Sequence, residues 1–417
     1  MKKLLSVTFF SALLTLVKMG SGFIIAKVVA VYTGPSGMAM LGQIQSIVAS
    51  LNGIVNAPVS SCIVRYTAEN EKQGISACSP WWKASVWWLC CIQLVVMPLG
   101  VVFSEQISLW LLGTADYKWL ICSATLALPL VSVGTLINSI INGFQQYKFY
   151  IGIGALSNIF SCVLMVFLIV YKGIDGALFA ATIQAALIGI ILMCCALKQP
   201  WFKFCYLWGR VDKYHKKKVA GYILMAVTTT ALTAPVALIF VRRILVENVG
   251  WEYAGHWQAV WKISEAYLAV ITISLSTYYL PKLSSLKNKK EIRAEINKTA
   301  LMIIPAVGLM ALVVYLFRDF AIKILFSNEF SDARKLLAIE LIGDVIKIAS
   351  WLYAYPMLSR GSTVWYVSSE IVFSITFVIL VFILVPHYYT QGANIAYLIN
   401  YMFYFLFLYL NLERYAK

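Results

Sequence analysis

The sequence predicts an all-α polytopic membrane protein, with about twelve transmembrane helices in two six-helix bundles. Three observations carry that prediction. Of the 417 residues, 61% are hydrophobic and 12% charged, whereas a soluble domain averages roughly 45–50% and 25%. So little charge cannot coat a water-soluble surface of this length. The apolar residues fall in unbroken runs near the roughly 20 residues that cross a hydrocarbon core, not in the alternating pattern of an outer-membrane barrel. The second half of the chain also echoes the first at a nearly constant offset. Helices satisfy their own backbone groups in lipid, which makes them the architecture these features leave.

Read in order, the runs place spans at 10–32, 38–64, 84–103, 119–143, 149–170 and 174–196 in the first half. In the second they lie at 219–241, 256–280, 299–317, 337–358, 364–385 and 391–410. The opening MKKLLSVTFFSALLTL imitates a secretory signal. No small-x-small cleavage site follows, however, and the run continues past Lys18 to Tyr32, so it reads as an uncleaved first span. Alternate connections set the orientation. One side collects 22 Lys and Arg, at the N-terminus, 65–83, 144–148, 197–218, 281–298, 359–363 and the C-terminus. The other collects 8, at 104–118, 171–173, 242–255 and 318–336, and four lysines lie inside spans. The positive-inside rule then puts both termini in the cytoplasm. Most of the net charge of +16 serves only that orientation. None of the nine cysteines falls on the outer side, and no CxxC or Cys/His spacing points to a metal.

The internal echo pairs particular residues. Phe103-Ser104-Glu105 followed by Leu111-Leu112-Gly113 matches Phe317-Arg318-Asp319 followed by Leu325-Phe326-Ser327. Gly176-Ala177 with Ala180 matches Gly392-Ala393 with Ala396, Gln43 falls on Gln258, and Lys27 falls on Arg242. Six spans per half give both halves one orientation, so this is a parallel repeat about an axis along the membrane normal. Transporters are commonly built this way, with substrate handled between the halves. The expected division is a first bundle over 1–200, a basic cytoplasmic linker over 201–218 and a second bundle over 219–417.

Several classes lose support. No GxxxxGK[ST] phosphate loop occurs, no outer connection exceeds about twenty residues, and the three histidines join no nucleophile motif. An enzyme is not expected, nor a nucleic-acid partner, nor a bound cofactor; a proton or sodium gradient would supply the energy.

A charge at mid-bilayer costs roughly 2.5–3.5 kcal/mol on insertion scales, so each one asks for a reason. Span 1 carries Lys18 and Lys27, and the first six spans hold no acid except Asp175, at the outer edge of span 6. Ser11, Thr15, Lys18 and Gly22 share one helical face; span 2 has a polar stripe at Gln45, Asn52 and Asn56; span 4 adds Asn138 and Asn142. Such stripes fit a wetted cavity, or interhelical hydrogen bonding. Lys27 has two readings: it faces the cavity if Gly20-Ser21-Gly22 bends the helix, or it snorkels to the outer interface. The second half holds the acids. Gln258, Lys262 and Glu265 share a face of span 8, Glu340, Asp344 and Lys347 share a face of span 10, and span 11 adds Glu370. Lys262 with Glu265, and Asp344 with Lys347, have the i, i+3 spacing of structural ion pairs. The alternative is carboxylates that bind and release a coupling cation. Arg242 and Arg243, at the outer end of span 7, read equally as interfacial anchors or ligands. Trp81, Trp82, Trp87 and Trp88 read as belt anchors; Trp257 and Trp261 suit belt or core packing, or stacking on sugar rings.

Three stretches carry a family resemblance: TLVKMGSGFIIAKVVAVYTGPSGMAMLGQ (15–43), WQAVWKISEAYLAVITISLSTYYLPKLS (257–284) and RDFAIKILFSNEFSDARKLLAIELIGDVIK (318–347). They resemble the Wzx flippases, the polysaccharide-transporter branch of the multidrug/oligosaccharidyl-lipid/polysaccharide (MOP) exporter superfamily, over nearly the whole chain. The likeness is to enterobacterial flippases for O-antigen units and for lipid III of enterobacterial common antigen. It implies a MATE-like pair of bundles around a cationic cavity in the bacterial inner membrane. It also implies alternating-access transfer of an undecaprenyl-diphosphate-linked oligosaccharide from the inner to the outer leaflet. A polymerase and a chain-length regulator of the same glycan pathway would be partners, besides the bilayer itself. Carried over by position, Lys18 and Lys27 would meet the diphosphate or acidic sugars, Lys262 and Glu265 would face them from span 8, and Asp344 would couple to a cation. The residues' own polar and charged faces add Arg242, Asn52 and Asn56 as substrate candidates, and Glu265, Glu340 and Glu370 as coupling candidates.

Three alternatives remain beside it. A drug exporter of the same superfamily would want acid deep in the first-half spans, whose one acid, Asp175, sits at the outer edge of span 6. A major-facilitator transporter would show G-x-x-x-D-[RK]-x-G-[RK]-[RK] where this chain has RYTAENEKQG (65–74). A polymerase or ligase of the same pathway would need a long outer loop.

Overall fold

A computed structural model describes the backbone of residues 2–228, 230, 233–286 and 288–415, with side chains outside 2–12, 147–148 and 224–225. Among the described residues the chain is helical throughout and has no strand. In order, the helices are α1 (Lys2–Asn56), α2 (Ser61–Asn70), α3 (Ile75–Val102), α4 (Ser104–Leu112), α5 (Lys118–Gly143), α6 (Tyr147–Ala196), α7 (Phe204–Leu207) and α8 (Lys213–Val227). They continue as α9 (Ala234–Ser274), α10 (Leu280–Ser285), α11 (Lys289–Leu316), α12 (Arg318–Leu325), α13 (Leu337–Ser359), α14 (Thr363–Tyr388) and α15 (Thr390–Tyr415). Eight helical stretches among the described residues are long and apolar enough to cross a membrane.

The predicted spans appear as fewer, longer helices. A straight helix the length of α1 would run about 80 Å, well beyond a hydrocarbon core of about 30 Å. Spans 1 and 2 part at Gly34 inside α1, and spans 5 and 6 at Gly173 inside α6. The kink at Gly250 in α9 separates the end of span 7 from span 8. Span 7 is itself divided between α8 and α9. Helix α11 begins well before the apolar run of span 9, because the Asn288 side chain accepts the backbone N–H of Lys290 at 3.1 Å and caps it there. Hydropathy marks where lipid begins; the cap marks where the helix does.

The repeat is written into the backbone. Gly34 (φ 64°, ψ −168°) and Gly250 (φ 88°, ψ 170°) take matching places in the two halves. Gly173 (φ 58°, ψ −131°) and Tyr389 (φ 53°, ψ −138°) stand at the same offset. Phe103 and Phe317 end α3 and α11 with φ/ψ of −90°/10° and −96°/15°, and each opens a short helix, α4 or α12. A Cβ at Gly176 would press on the Leu168 carbonyl, and one at its counterpart Gly392 on the Leu384 carbonyl.

Contacts group the chain into two compact units: Met1–Ile25 with Gln43–Val236, and Ala26–Gly42 with Ala237–Lys417. Residues 201–218 group with the first unit, and a tip of α1 joins the second. In the first unit, α5 and α6 approach so closely that a Cβ on Gly134 would lie 2.5 Å from the Gly189 Cα, the small-residue contact that brings membrane helices together. Trp82, expected in the interfacial belt, is buried with Trp201 and Ile137, and its Nε1 donates to Thr67 Oγ1 at 2.8 Å. Burial is compatible with the polar indole edge because Thr67 supplies the acceptor. In the second unit α13 runs through a tyrosine-rich core of Tyr279, Tyr353, Tyr404 and Tyr415. The Tyr415 hydroxyl donates to the carbonyls of Tyr353 and Leu408 at 2.9 Å each.

Candidate functional site

The second unit concentrates the buried charge. Glu340, Asp344 and Lys347 fall on one face of α13, at i, i+4 and i+7. Asp344 is fully buried. It accepts hydrogen bonds from Ser264 Oγ and the Tyr267 hydroxyl at 2.6 Å each, and from the Tyr397 hydroxyl at 2.8 Å. Three donors occupy most of a carboxyl group's lone-pair sites. The expected Asp344–Lys347 ion pair does not form, because those hydroxyls take the carboxyl oxygens. Lys347 Nζ instead lies 5.2–5.5 Å from the ring centres of Trp261, Trp351, Tyr397 and Tyr401, an aromatic cage that attracts its charge through the ring faces.

Glu340 is 1% exposed, and neither carboxyl oxygen has a hydrogen-bond partner among the described residues. Such a group costs free energy unless something binds it. Glu265 pairs with Lys262 at 3.0 Å and also accepts from Trp261 Nε1 at 3.0 Å, as the spacing on span 8 predicts. Glu370 accepts from the Tyr404 hydroxyl at 3.4 Å. The cluster thus holds four acids and two lysines, a formal charge of −2 if all are ionised. Buried carboxylates of this kind can take up a proton or a cation. No cluster of three or more His, Cys, Asp or Glu able to hold a metal ion occurs among the described residues.

The other expected site residues divide. Lys18 is exposed in the first unit and makes no ion pair or hydrogen bond among the described residues. The Ser11 side chain of its stripe lies outside the described residues. Asn52 is half-buried; Asn56 is buried, with its Oδ1 unpartnered among the described residues. Lys27 reaches the segment 318–336, the one the charge count assigns to the outer side. Its Nζ donates to the carbonyls of Lys323 (3.0 Å) and Phe326, at the end of α12, where a helix leaves carbonyls unsatisfied and its dipole is negative. Arg242 is buried rather than interfacial: Nε donates to Gln258 Oε1 at 2.6 Å, and both side chains press against Gly42. Arg243 is the outward member, paired with Glu247 at 2.8 Å. Trp257 is fully buried, so it packs the core and offers no face to a sugar.

Sequence reasoning missed the tyrosines. Tyr397, Tyr401 and Tyr404 recur at i, i+4 and i+7 on α15, the same stripe that singles out the acids of α13.

No family model matches the chain. Two curated relatives, the lipid III flippases of Escherichia coli (strain K12) and Shigella flexneri, are each 30% identical to it over 402 residues, covering 95% of this chain and 95% of theirs. Among solved structures, the lipid II flippase MurJ in an inward closed conformation superposes with a TM-score of 0.75 at 15% identity, over 98% of this chain and 87% of that one. An inward-facing multidrug resistance MATE family transporter of the MOP superfamily superposes with a TM-score of 0.71 at 10% identity, over 95% of each chain. At such identities these likenesses show the fold alone, an all-α polytopic architecture.

Proposed function

This chain belongs to the family of the two lipid III flippases, a family of transporters and not of enzymes, and on that premise we propose that it flips an undecaprenyl-diphosphate-linked oligosaccharide. The cargo moves from the cytoplasmic to the periplasmic leaflet of a bacterial inner membrane by alternating access, with both termini of the protein in the cytoplasm. The observation that carries the reading is 30% identity sustained along 95% of both chains. The first reading of the glycan is an O-antigen unit, from the three stretches that resemble Wzx flippases. Lipid III of enterobacterial common antigen is the second, favoured by what the relatives are named. The diphosphate is common to both. Lys18, unpaired and exposed, is the proposed cation that meets it, with Lys262, Asn52 and Asn56 toward the sugars. Lys27 and Arg242 are already committed to carbonyl and amide partners. The acids Glu340, Asp344, Glu265 and Glu370 are the proposed coupling groups for a proton or sodium ion. A polymerase and a chain-length regulator are the proposed neighbours in the membrane.

Depletion in the parent bacterium tests this directly. Lipid-linked units are expected to accumulate on the cytoplasmic side, and their sugars identify the glycan. Normal surface glycan without accumulation overturns the reading. Lys18→Glu is expected to abolish transport at normal protein levels; transport that survives it removes Lys18 from the site.

A further inference from the structure

The segment 197–218 carries seven basic residues against one acid, Asp212. None of the seven makes an ion pair among the described residues, whereas Arg65, Lys118, Arg243 and Arg293 elsewhere each do. Asp212 itself faces His215 at 3.9 Å. The segment is pinned to the first turns of α3. Trp201 is buried against Trp82, Ser79 Oγ donates to the Tyr206 carbonyl at 2.9 Å, and Trp88 Nε1 donates to the Lys216 carbonyl at 3.0 Å. It therefore lies at the depth where α3 starts. Lys213, Lys216, Lys217 and Lys218 occupy the opening turns of α8, the positive end of its dipole, where lysines repel the helix and one another. Phe204, Trp208 and Tyr214 of the segment and Trp87 of α3 are exposed, and Lys216 Nζ sits 3.7 Å from the Trp87 ring centre. Exposed aromatics of this kind settle at headgroup depth, and lysines there are drawn to an anionic leaflet.

We propose that 197–218 is a docking surface for anionic phospholipid headgroups of the adjacent leaflet, the cytoplasmic one on the charge count. The four α8 lysines hold the phosphates, and Phe204 and Trp208 seat among the upper acyl chains.

Native mass spectrometry of the purified, delipidated full chain titrated with phosphatidylglycerol or phosphatidylethanolamine tests this. The wild type is expected to prefer phosphatidylglycerol. Replacing the four lysines by Gln is expected to weaken that binding at least tenfold, at about fivefold per charge, and to leave phosphatidylethanolamine unchanged. The four-Arg variant retains the preference. Lys216 is half-buried, so Lys213→Gln, Lys217→Gln and Lys218→Gln together, all at exposed positions, provide a second arm with the same expected direction. Undiminished phosphatidylglycerol binding in that triple variant overturns the proposal. So does one-for-one displacement of the lipid by undecaprenyl diphosphate, which would assign the lysines to cargo. Neither result bears on the depletion experiment.

Discussion

Ser132 of α5 and Lys347 of α13 occupy corresponding places in the repeat. Ser132 accepts from Gln93 Nε2 at 2.9 Å, a neutral pair. Around it the first unit continues in the same neutral style, with Ser123 to Thr182 at 3.1 Å and Asn158 Nδ2 to Ser21 Oγ at 2.8 Å. Lys347 stands in a cage of four rings beside Asp344 and the unpartnered Glu340. The kinks and breaks that shape the two halves are closely alike, so the skeleton does not depend on what it buries. Glycines, caps and the two phenylalanine breaks act locally and survive divergence. The buried polar groups are free to change, and only the second half has become costly in charge.

Asp344→Ala breaks the comparison hardest. It leaves three hydroxyls without an acceptor and removes the acid one turn from Lys347. The expected loss is about 3–5 kcal/mol, read as a large fall in thermal unfolding temperature in detergent. Ser132→Ala, which removes half of a neutral pair, is expected to cost about 1 kcal/mol. Equal costs would mean the two interiors are energetically alike. Next comes Lys27→Met, which removes two charge-assisted hydrogen bonds at the end of α12. A loss of about 1.5–3 kcal/mol is expected, with faster hydrogen exchange confined to 318–326 as the distinguishing measurement.

The third test concerns Gly173 and Tyr389, which share a backbone conformation natural only to glycine. Gly173→Ala meets no neighbouring atom within 4 Å, so its expected cost of about 1–3 kcal/mol is backbone strain alone. Tyr389→Gly, at an exposed side chain, is expected to stabilise by about 1 kcal/mol, the relieved strain less the entropy of an added glycine. Destabilisation there would show that the Tyr389 side chain holds the turn. The smallest effect contrasts buried acid with exposed acid in the second unit. The Lys335 ammonium, 2.7 Å from Asp332, holds that carboxyl below the usual carboxylate range. A group so depressed contributes stability above the unfolded carboxylate pKa, about 3.9, and loses it as pH falls through the folded value. Lys335→Gln is therefore expected to lower stability slightly at neutral pH, with the difference vanishing in strong acid.

Composition and run length were enough to read the membrane class, and the echoed Phe-Ser-Glu and Gly-Ala positions were enough to read the repeat, because breaks and close contacts are local chemistry. The i, i+4, i+7 spacing likewise placed Glu340, Asp344 and Lys347 on one face. It could not say what faced them. Asp344 bonds to residues 53 to 80 positions away, and no local spacing encodes those partners. The partners of Lys27 escaped for the same reason: they are carbonyls at the end of a helix near the far end of the chain. Trp82 looked like a belt residue, and Trp257 fitted belt, core or sugar stacking alike, because burial is a property of the assembled unit.

That tip of α1 also sets a timetable. Lys27 leaves the ribosome 299 residues before Phe326. At about 5–20 residues per second, its resting place does not exist for roughly 15–60 s. During that interval the turn at Gly34 stands without the carbonyls that later hold Lys27 beside it, so the first-made piece of the second unit is among the last to be completed.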